Sequence, residues 1–371
     1  MVSSCNFFDV KTSINIVLLL ASFLCQVRVI AVVLRRENVA YRCLFRCQEK
    51  QLLSNGSASI HRDHFGFAYG TADIMCPLPS GCETPSSIAV TSAAANTTEF
   101  LEVKNQQEKT ESFPYNFTVC ISTMFDFTNV LQLVQSLEML QLLGVNRVVV
   151  YKTSCSPETQ RILDYYTHKG LVEVIPWSLS RYVNVSRSWL PSHGPGELHY
   201  FGQIPALNDC LYRYMYQSRY VALHDIDELI LPQNKYGANK CYRFENDVFP
   251  INFTFSPPAS QSLPPQADWK NVPGVNILAH LYKEPVFIET RMNFKIIVNP
   301  RVVFSTSVHG VLKSHCFYVS AFPLCRSPRQ IHLTKEKLIY DGRLLNYSTH
   351  FTPAVNKVLR DTGLLPSTNS L

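Results

Sequence analysis

The sequence predicts an α/β fold: a Rossmann-type mixed sheet with helices on both faces, preceded by an N-terminal membrane anchor and a stem. Three observations predict this class. From residue 113 onwards, short β-rich runs alternate with segments of helical period, and glycines and prolines fall between those segments. Hydrophobic residues also make up 46% of the chain against 17% charged residues, which excludes a chain that is disordered throughout.

The first predicted elements of the sheet are a strand, a helix and a second strand. Residues 118–122 form a short β-rich run. Residues 130–141 then carry apolar side chains at an i, i+3, i+4, i+7 spacing and end before Gly144, a residue type favoured just after a helix. Residues 145–151 include three consecutive valines, which is typical of a buried strand.

Two helices and two strands follow in alternation. Ser156 and Pro157 predict a helix start, because the serine side chain can accept from an orphan amide and proline has no amide to lose. Gly170 closes that helix, and strands over 171–175 and 219–224 flank a third helix over 201–217. This alternation is typical of parallel crossovers, whose ligands lie beyond the carboxyl ends of the strands. A site is therefore predicted after residue 223.

The N-terminal part of the chain predicts entry into the secretory pathway. Residues 14–34 are long enough for one spanning helix, with a single charge at Arg28. A cleaved signal peptide behind Lys11 and a buried helix of a cytosolic protein are the alternatives. The predicted organisation is a tail and membrane anchor over 1–36, a lumenal stem over 37–112 and a main domain over 113–371. A small domain tied by Cys76 and Cys82 is the alternative to the stem.

Glycosylation sequons and cysteines agree with a lumenal chain. Most of the 12 cysteines are expected to pair there, and the short intervals favour local disulfide loops such as Cys43 with Cys47 or Cys76 with Cys82 over a zinc site. Spacing alone leaves the connectivity open. The six Asn-x-Ser/Thr acceptors are Asn55, Asn96, Asn116, Asn184, Asn252 and Asn346.

The charge of the chain argues against a nucleic-acid partner. The formal net charge is +6, but the basic residues are scattered and form no Lys/Arg run. A sequence-reading nucleic-acid binder is therefore not expected.

Two carboxylates follow the fourth predicted strand. In an extended backbone, residues two apart point to the same side, so Asp225 and Asp227 would converge while Ile226 faces the core. Such a pair repels unless a cation lies between, and Mn²⁺ or Mg²⁺ takes oxygen ligands that it shares with phosphates. Many sugar-nucleotide transferases hold a metal-bound diphosphate in this way. Solvated turn carboxylates and a phosphatase-type nucleophile are the alternatives, although the other residues of a phosphatase site are not apparent.

Several stretches together resemble glycosyltransferase family 92. The resemblance implies a GT-A-fold transferase of the Golgi membrane, single-pass and type II with a lumenal catalytic domain. It implies transfer of a sugar, galactose from UDP-galactose, to a glycan hydroxyl with inversion to a β-linkage. The matching stretches lie in order and leave the first hundred residues unmatched; they are 116–122, 141–145, 172–177, 202–203, 206–213, 224–232, 294–300 and 306–309.

The resemblance also implies roles for single residues at a metal and nucleotide site. Asp227 would bind the metal directly, and Asp225 would bind it or reach the ribose. His309 would complete the metal shell, because a neutral imidazole suits Mn²⁺, although a lone histidine is more often an ordinary polar residue.

A second group of residues is expected to contact the donor. Gln203 and Asn208 are candidates for the nucleotide, and Arg213 could do the same or pair with a surface carboxylate. Lys295 could offset diphosphate charge or be a solvated strand residue. Cys210 is expected to be a disulfide partner or core residue and not a thiolate.

Inversion also requires a general base for the acceptor hydroxyl. The downstream candidates are Asp247, Asp268, Glu284 and Glu289, of which Glu289 is preferred. One departure from the family pattern is Leu324, which occupies the place of a histidine unless His332 substitutes for it. A catalytically silent lumenal glycan-binding protein on the same fold is therefore the alternative function, and a secreted adhesion protein rich in disulfides is a third.

Overall fold

The structure is a computed structural model that describes residues 14–23, 26–92, 99–104, 112–231, 241–245, 247–252, 256, 258, 267–285, 294–314, 318–321 and 337–366. Two compact units make up the chain. The first comprises Met1–Tyr115, Ile175–Val221 and Asn299–His315, and the second comprises Asn116–Val174, Ala222–Val298 and Cys316–Leu371.

Strands and α-helices of the described residues are numbered in chain order. The strands are β1 Ile14–Phe23, β2 Gln26–Leu34, β3 Tyr41–Cys47, β4 Lys50–Ile60, β5 Tyr69–Pro77, β6 Ser87–Ser92, β7 Leu101–Glu102, β8 Tyr115–Met124, β9 Arg147–Lys152, β10 Val172–Pro176, β11 Ser218–His224, β12 Cys241–Glu245, β13 Tyr282–Lys283, β14 Phe294–Val298, β15 Val303–Ser307, β16 Gly310–Ser314, β17 Tyr318–Ala321 and β18 Ile339–Tyr340. The helices are α1 Val130–Leu142, α2 Pro157–His168, α3 Gln203–Arg213 and α4 Ser348–Asp361.

The first unit contains a seven-stranded sheet in the order β1-β2-β5-β4-β3-β6-β7. All six neighbouring pairs are antiparallel. Strand β4 serves two neighbours: Lys50–Gly56 pair with β3 and Ser57–Ile60 pair with β5. Gly56 lies at the transition, where a Cβ atom would be 2.8 Å from Cys43 Sγ, so a side chain there would clash with the sulfur.

The prediction of one spanning helix over residues 14–34 is wrong, because these residues form the antiparallel strands β1 and β2. The segment is rich in valine and isoleucine, which favour strands, and an apolar run alone does not distinguish a strand from a helix. Arg28 is buried in β2, where its guanidinium lies 4.0 Å from Asp73 Oδ2 and donates to the Phe304 carbonyl at 2.6 Å. No α-helix within the described residues combines the length and apolarity needed to cross a membrane.

The segment predicted to be a stem also contains regular structure. Strands β3 to β7 lie within residues 37–112, where the sequence predicts a stem. The expected local disulfide loops are wrong, because Cys43 pairs with Cys76 and Cys47 pairs with Cys82. These bonds connect β3 to β5 and to the segment after β5. The broader expectation that most cysteines pair is supported, since Cys120, Cys210 and Cys241 are also disulfide-bonded.

The second unit is built on a mixed sheet in the order β10-β9-β8-β11-β14-β12-β17. The four predicted strands are all present, with β8 and β9 parallel. From β8 to β10 each strand is added on one side of the sheet, whereas β11 lies on the other side of β8. The direction of strand addition therefore reverses between β8 and β11. Crevices at such a reversal, at the carboxyl ends of the strands, are where ligands bind in open α/β sheets. The α/β class predicted from the sequence is confirmed.

The predicted helices of this region are confirmed, with small shifts at their ends. Ser156 caps α2, with its Oγ accepting from the Thr159 amide at 3.2 Å, and Pro157 is the first helical residue. Gly144 and Gly170 follow α1 and α2 with φ of +87° and +75°. Such positive values favour glycine, which explains why both helices end there.

Candidate active site

The predicted carboxylates lie on a turn that follows β11. The strand ends at His224, and the residues Asp225–Glu228 form a tight turn, named here the carboxylate turn. Its two closing hydrogen bonds run from the Glu228 amide to the Asp225 carbonyl at 3.2 Å and from the Asp225 amide to Glu228 Oε2 at 2.9 Å. The expectation of an extended backbone, with Ile226 pointing to the core, is therefore wrong: Ile226 is half-buried in the turn.

Lys295 binds the carboxylate turn from β14. Its Nζ lies 3.0 Å from Asp225 Oδ2 and 3.1 Å from Glu228 Oε2. Lys295 is 2% exposed, so the alternative of a solvated strand residue is wrong. Of the three carboxylates in this group, those of Asp225, Asp227 and Glu228, Lys295 contacts the first and the third.

His224 adds no charge to this group. It is buried at the end of β11, and its Nδ1 lies 2.8 Å from the Asp225 carbonyl oxygen, which accepts its hydrogen bond. Burial is the main cause that lowers the pKa of His224 to about 4; the hydrogen bond to the Asp225 carbonyl opposes this shift, and the nearby Lys295 ammonium adds to it. The imidazole is therefore neutral at neutral pH.

Helix α1 positions the carboxylate turn and a second loop. Ser136 Oγ donates to the Ile226 carbonyl at 2.9 Å. Gln135 donates to Asn276 Oδ1 at 2.9 Å and accepts from the Ile277 amide at 2.9 Å. Although Gln135 is fully buried, its amide is satisfied by these bonds. Helix α1 thus holds the carboxylate turn and the loop around Asn276, which are about 50 residues apart in the sequence.

A pocket beside the carboxylate turn is lined by both segments. Asp227 contributes from the turn, and Ile277, His280 and Leu281 contribute from the second loop. The wall is mainly apolar with four polar groups, as is usual for small-molecule sites. The remaining lining residues are Gln132, Leu229, Leu231, Phe249, Asp341 and Leu344.

The pocket also borders a network of four charged side chains. Lys283 Nζ lies 2.8 Å from Asp247 Oδ2 and 3.6 Å from Asp341 Oδ2. Arg343 binds the same two carboxylates. Although burial opposes the ionised form, hydrogen bonds and charge from Arg343 lower the pKa of Asp341 overall. Asp341 is thereby a weak proton acceptor.

The donor set suits a divalent ion that is shared with a ligand. Within the described ranges, no three His, Cys, Asp or Glu residues are grouped so as to hold a metal. Mg²⁺ and similar ions usually take one or two carboxylates together with substrate phosphates, not a complete protein cage. Asp225 and Asp227, two carboxylates on one turn, fit that mode of binding.

The sequence-predicted residues Gln203, Asn208 and Arg213 lie on α3 in the first unit. Asn208 is fully buried: its amide donates to the Ile204 and Thr306 carbonyls at 2.9 Å each, and its Oδ1 accepts from the Thr306 amide at 3.0 Å. These contacts join α3 to β15 and speak against a nucleotide contact by Asn208. Arg213 pairs with Asp209 at 3.0 Å, a carboxylate that is buried and not on the surface as the alternative for Arg213 expected. Gln203 is buried at the helix start.

His309 lies in the turn between β15 and β16 of the first unit. It is close to His199, which stacks on Phe65 with ring centroids 4.2 Å apart. Burial, and to a smaller degree the nearby His309, lowers the pKa of His199 to about 4. His199 had no role in the sequence-based prediction.

The predicted general bases are only partly described. Asp247 belongs to the network with Lys283 and Arg343. Glu284 is buried, and that burial raises its pKa. The preferred Glu289 lies outside the described residues, as do Leu324 and His332, and the side chain of Asp268 does too. A role for Glu289 remains a prediction.

Sequence reasoning missed several residues of the site. Glu228 could have been found, because an acidic residue three positions after Asp225 can reach back to its amide, as in a capping box. His280 and Asp341 carry no such local signal. His280 lies more than 50 residues after Asp227 in the sequence, and Asp341 lies more than 110 residues after it.

Comparison with known proteins assigns the region that contains this site. Residues 115–320, 206 of the 371, match the family model Glycosyltransferase family 92. Glycosyltransferase family 92 protein F13G3.3 of Caenorhabditis elegans is 28% identical over 152 residues, which are 40% of this chain and 30% of that protein. Beta-1,4-galactosyltransferase galt-1 of the same organism is 24% identical over 249 residues, 64% of this chain and 53% of that protein.

The matched part of this chain therefore spans about half, or less, of the length of these two relatives. The family match includes the carboxylate turn and Lys295, and it begins at the first residue of β8 and ends within β17. Because the match covers more than half of the chain, the protein belongs to glycosyltransferase family 92.

Proposed function

We propose that this protein is a metal-dependent, inverting glycosyltransferase that moves galactose from UDP-galactose onto a glycan hydroxyl in the Golgi lumen. Family membership supports glycosyl transfer itself. One observation carries the finer proposal: the carboxylate turn, with its two aspartates, follows β11 where the strand order of the sheet reverses. A diphosphate-bound cation is the ligand that such a group attracts.

Galactose is proposed as the transferred sugar because one relative is named a beta-1,4-galactosyltransferase. That protein is 24% identical to this chain, so the sugar is the part of the proposal that a donor screen should test first.

In the proposed reaction, Asp225 and Asp227 would hold Mn²⁺ or Mg²⁺. When bound, the ion would neutralise the charge that grows on the diphosphate as the glycosidic bond breaks. Lys295 fixes the orientation of the Asp225 carboxylate through the 3.0 Å contact. The pocket beside Asp227 offers an apolar wall with polar groups, which suits a sugar ring that has both kinds of surface.

The test is UDP release from UDP-galactose by the full-length protein, with and without a glycan acceptor, in Mn²⁺ or in chelator. We expect turnover by the wild type in Mn²⁺ and loss of roughly 100-fold in Asp227→Asn, a size typical of lost electrostatic stabilisation. Asp164→Asn is the matched control, because Asp164 is exposed on α2. A wild type that binds glycans but never turns over a sugar nucleotide would instead favour the silent glycan-binding protein.

The proposed location has its own test. A tagged chain should co-fractionate with Golgi membranes, with its main domain protected from added protease. Recovery of the chain in the cytosol, without glycans, would contradict it.

A further inference from the structure

Exposed apolar side chains of this protein lie beside glycosylation sequons. Asn55, Asn116, Asn184, Asn252 and Asn346 are all exposed, whereas Asn96 lies outside the described residues. Seven large apolar side chains are exposed within the described residues. Four of them are within six residues of an exposed sequon asparagine: Leu53, Trp189, Leu190 and Ile251.

On β4, strand geometry places an exposed apolar side chain beside a sequon asparagine. Leu53 is 55% exposed, and Asn55 is two residues further along the same strand. Residues two apart on a strand point to the same face and are separated by about 7 Å. A sugar attached to Asn55 would therefore have Leu53 as a neighbour on the solvent face.

The second pair, Asn184 with Trp189, lies in a loop of the first unit whose base is closed by two backbone hydrogen bonds. The Glu197 amide donates to the Asn184 carbonyl at 2.6 Å, and the Ser186 amide donates to the Leu198 carbonyl at 2.8 Å. Beyond this base, Trp189 is 58% exposed and Leu190 is 41% exposed. Five residues of extended chain span at most about 17 Å, so Trp189 is within reach of a glycan on Asn184.

We propose that N-linked glycans on Asn184 and Asn55 cover these apolar side chains, with the C–H face of a sugar ring packing on the Trp189 indole. Attachment forms a bond from the anomeric carbon of a diphosphate-activated oligosaccharide to the asparagine Nδ2; the diphosphate leaves and the amide loses one proton. The disulfides Cys43–Cys76 and Cys47–Cys82 agree with an oxidising compartment, where this modification occurs.

Tryptophan fluorescence offers a specific test. The chain has three tryptophans, and Trp177 and Trp269 are 0% and 3% exposed, so acrylamide quenching of the folded protein reports mainly on Trp189. The full-length chain, secreted or retained by cells that glycosylate, should show an occupied Asn184 by mass spectrometry. The quenching constant should rise in Asn184→Gln and after enzymatic removal of glycans from the folded wild type.

Matched variants distinguish the covering of Trp189 and Leu53 by glycans from a general effect of losing a glycan. Asn116→Gln removes a sequon that has no exposed large apolar side chain within six residues among those described, so its quenching should equal that of the wild type. Binding of a hydrophobic dye should rise in Asn55→Gln and return to the wild-type level in Asn55→Gln/Leu53→Ser. An unoccupied Asn184, or equal quenching of glycosylated and deglycosylated protein, would overturn the proposal.

Discussion

Lys295 places its ammonium group 3.0 Å from the carboxylate of Asp225, although 69 residues separate the two in sequence. The lysine is almost fully buried, and its second partner, Glu228, is buried as well. A buried charge needs a partner, so these three residues depend on one another. The contact fixes the start of the carboxylate turn against β14.

Removing this lysine should destabilise the protein. We expect Lys295→Met to lower the free energy of unfolding by about 3 kcal/mol, because it leaves the buried Glu228 carboxylate without its cation. Urea denaturation followed by circular dichroism measures the change. Lys357→Met is the control: Lys357 also pairs with an aspartate, but it is 67% exposed, so a loss of about 0.5 kcal/mol or less is expected. Equal losses in the two variants would contradict the structural role of Lys295.

The two aspartates of the carboxylate turn should respond differently to substitution. Asp225→Asn weakens the contact with Lys295, so it should lower both stability and turnover. Asp227→Asn should mainly lower turnover, because Asp227 lines the pocket. Thermal unfolding and UDP release, measured on both variants, would separate these effects. An Asp227→Asn protein less stable than Asp225→Asn would show this division of roles to be wrong.

Gly274 should be intolerant of a side chain. Its φ is +125°, and an added Cβ would lie 2.3 Å from Asn129 Oδ1 and 3.0 Å from the Leu131 amide. We expect Gly274→Ala to cost about 3 kcal/mol through strain and this clash. The loop that follows carries Ile277 and His280 into the pocket, so acceptor binding should weaken too.

Gly144→Ala is the matched control for that variant. Gly144 also has a positive φ, but an added Cβ would meet no atom within 4 Å. Gly144→Ala should lower the free energy of unfolding by only about 1 kcal/mol, which is the cost of a side chain at a positive φ without a clash. The comparison is made by denaturation and by titration of the acceptor, and equal costs at both positions would exclude the clash.

The sequence predicts features that depend on neighbouring residues better than features that depend on contacts between residues far apart in the chain. The alternation from β8 to β11 was predictable, because helical period, Ser156 with Pro157, and the glycines after α1 and α2 are local signals. The helix predicted over 14–34 failed because an apolar run does not reveal whether it will pair with another strand; here β2 pairs with β5, at least 35 residues later in the chain. Lys295 could be named from the sequence, but its contact with Glu228 could not, because the two residues are far apart in the chain.

The disulfide pairing provides a direct check of the first sheet. Peptide mapping without reduction should recover links between Cys43 and Cys76 and between Cys47 and Cys82. Replacing Cys47 and Cys82 together by serine should cost about 4 kcal/mol, because a loop of this length constrains the unfolded chain. Cys155→Ser should be nearly neutral, since Cys155 is a free, half-buried thiol. A Cys43–Cys47 link would contradict the pairing of β3 with its neighbours.

His199 should make stability depend on pH. Its folded pKa is about 4, lowered by burial and by His309 from a usual value of 6.5, so between these values the unfolded chain binds the extra proton. Stability from this group is therefore complete above pH 6.5 and is lost as pH falls towards 4, by about 3 kcal/mol. His224 shifts in the same direction, so His199→Phe should reduce the slope of unfolding free energy against pH without abolishing it. Denaturation between pH 4 and 7.5 in chelator measures the slope, and exposed His168→Phe should leave it unchanged. A slope that His199→Phe does not alter would mean that this imidazole is already protonated in the folded protein.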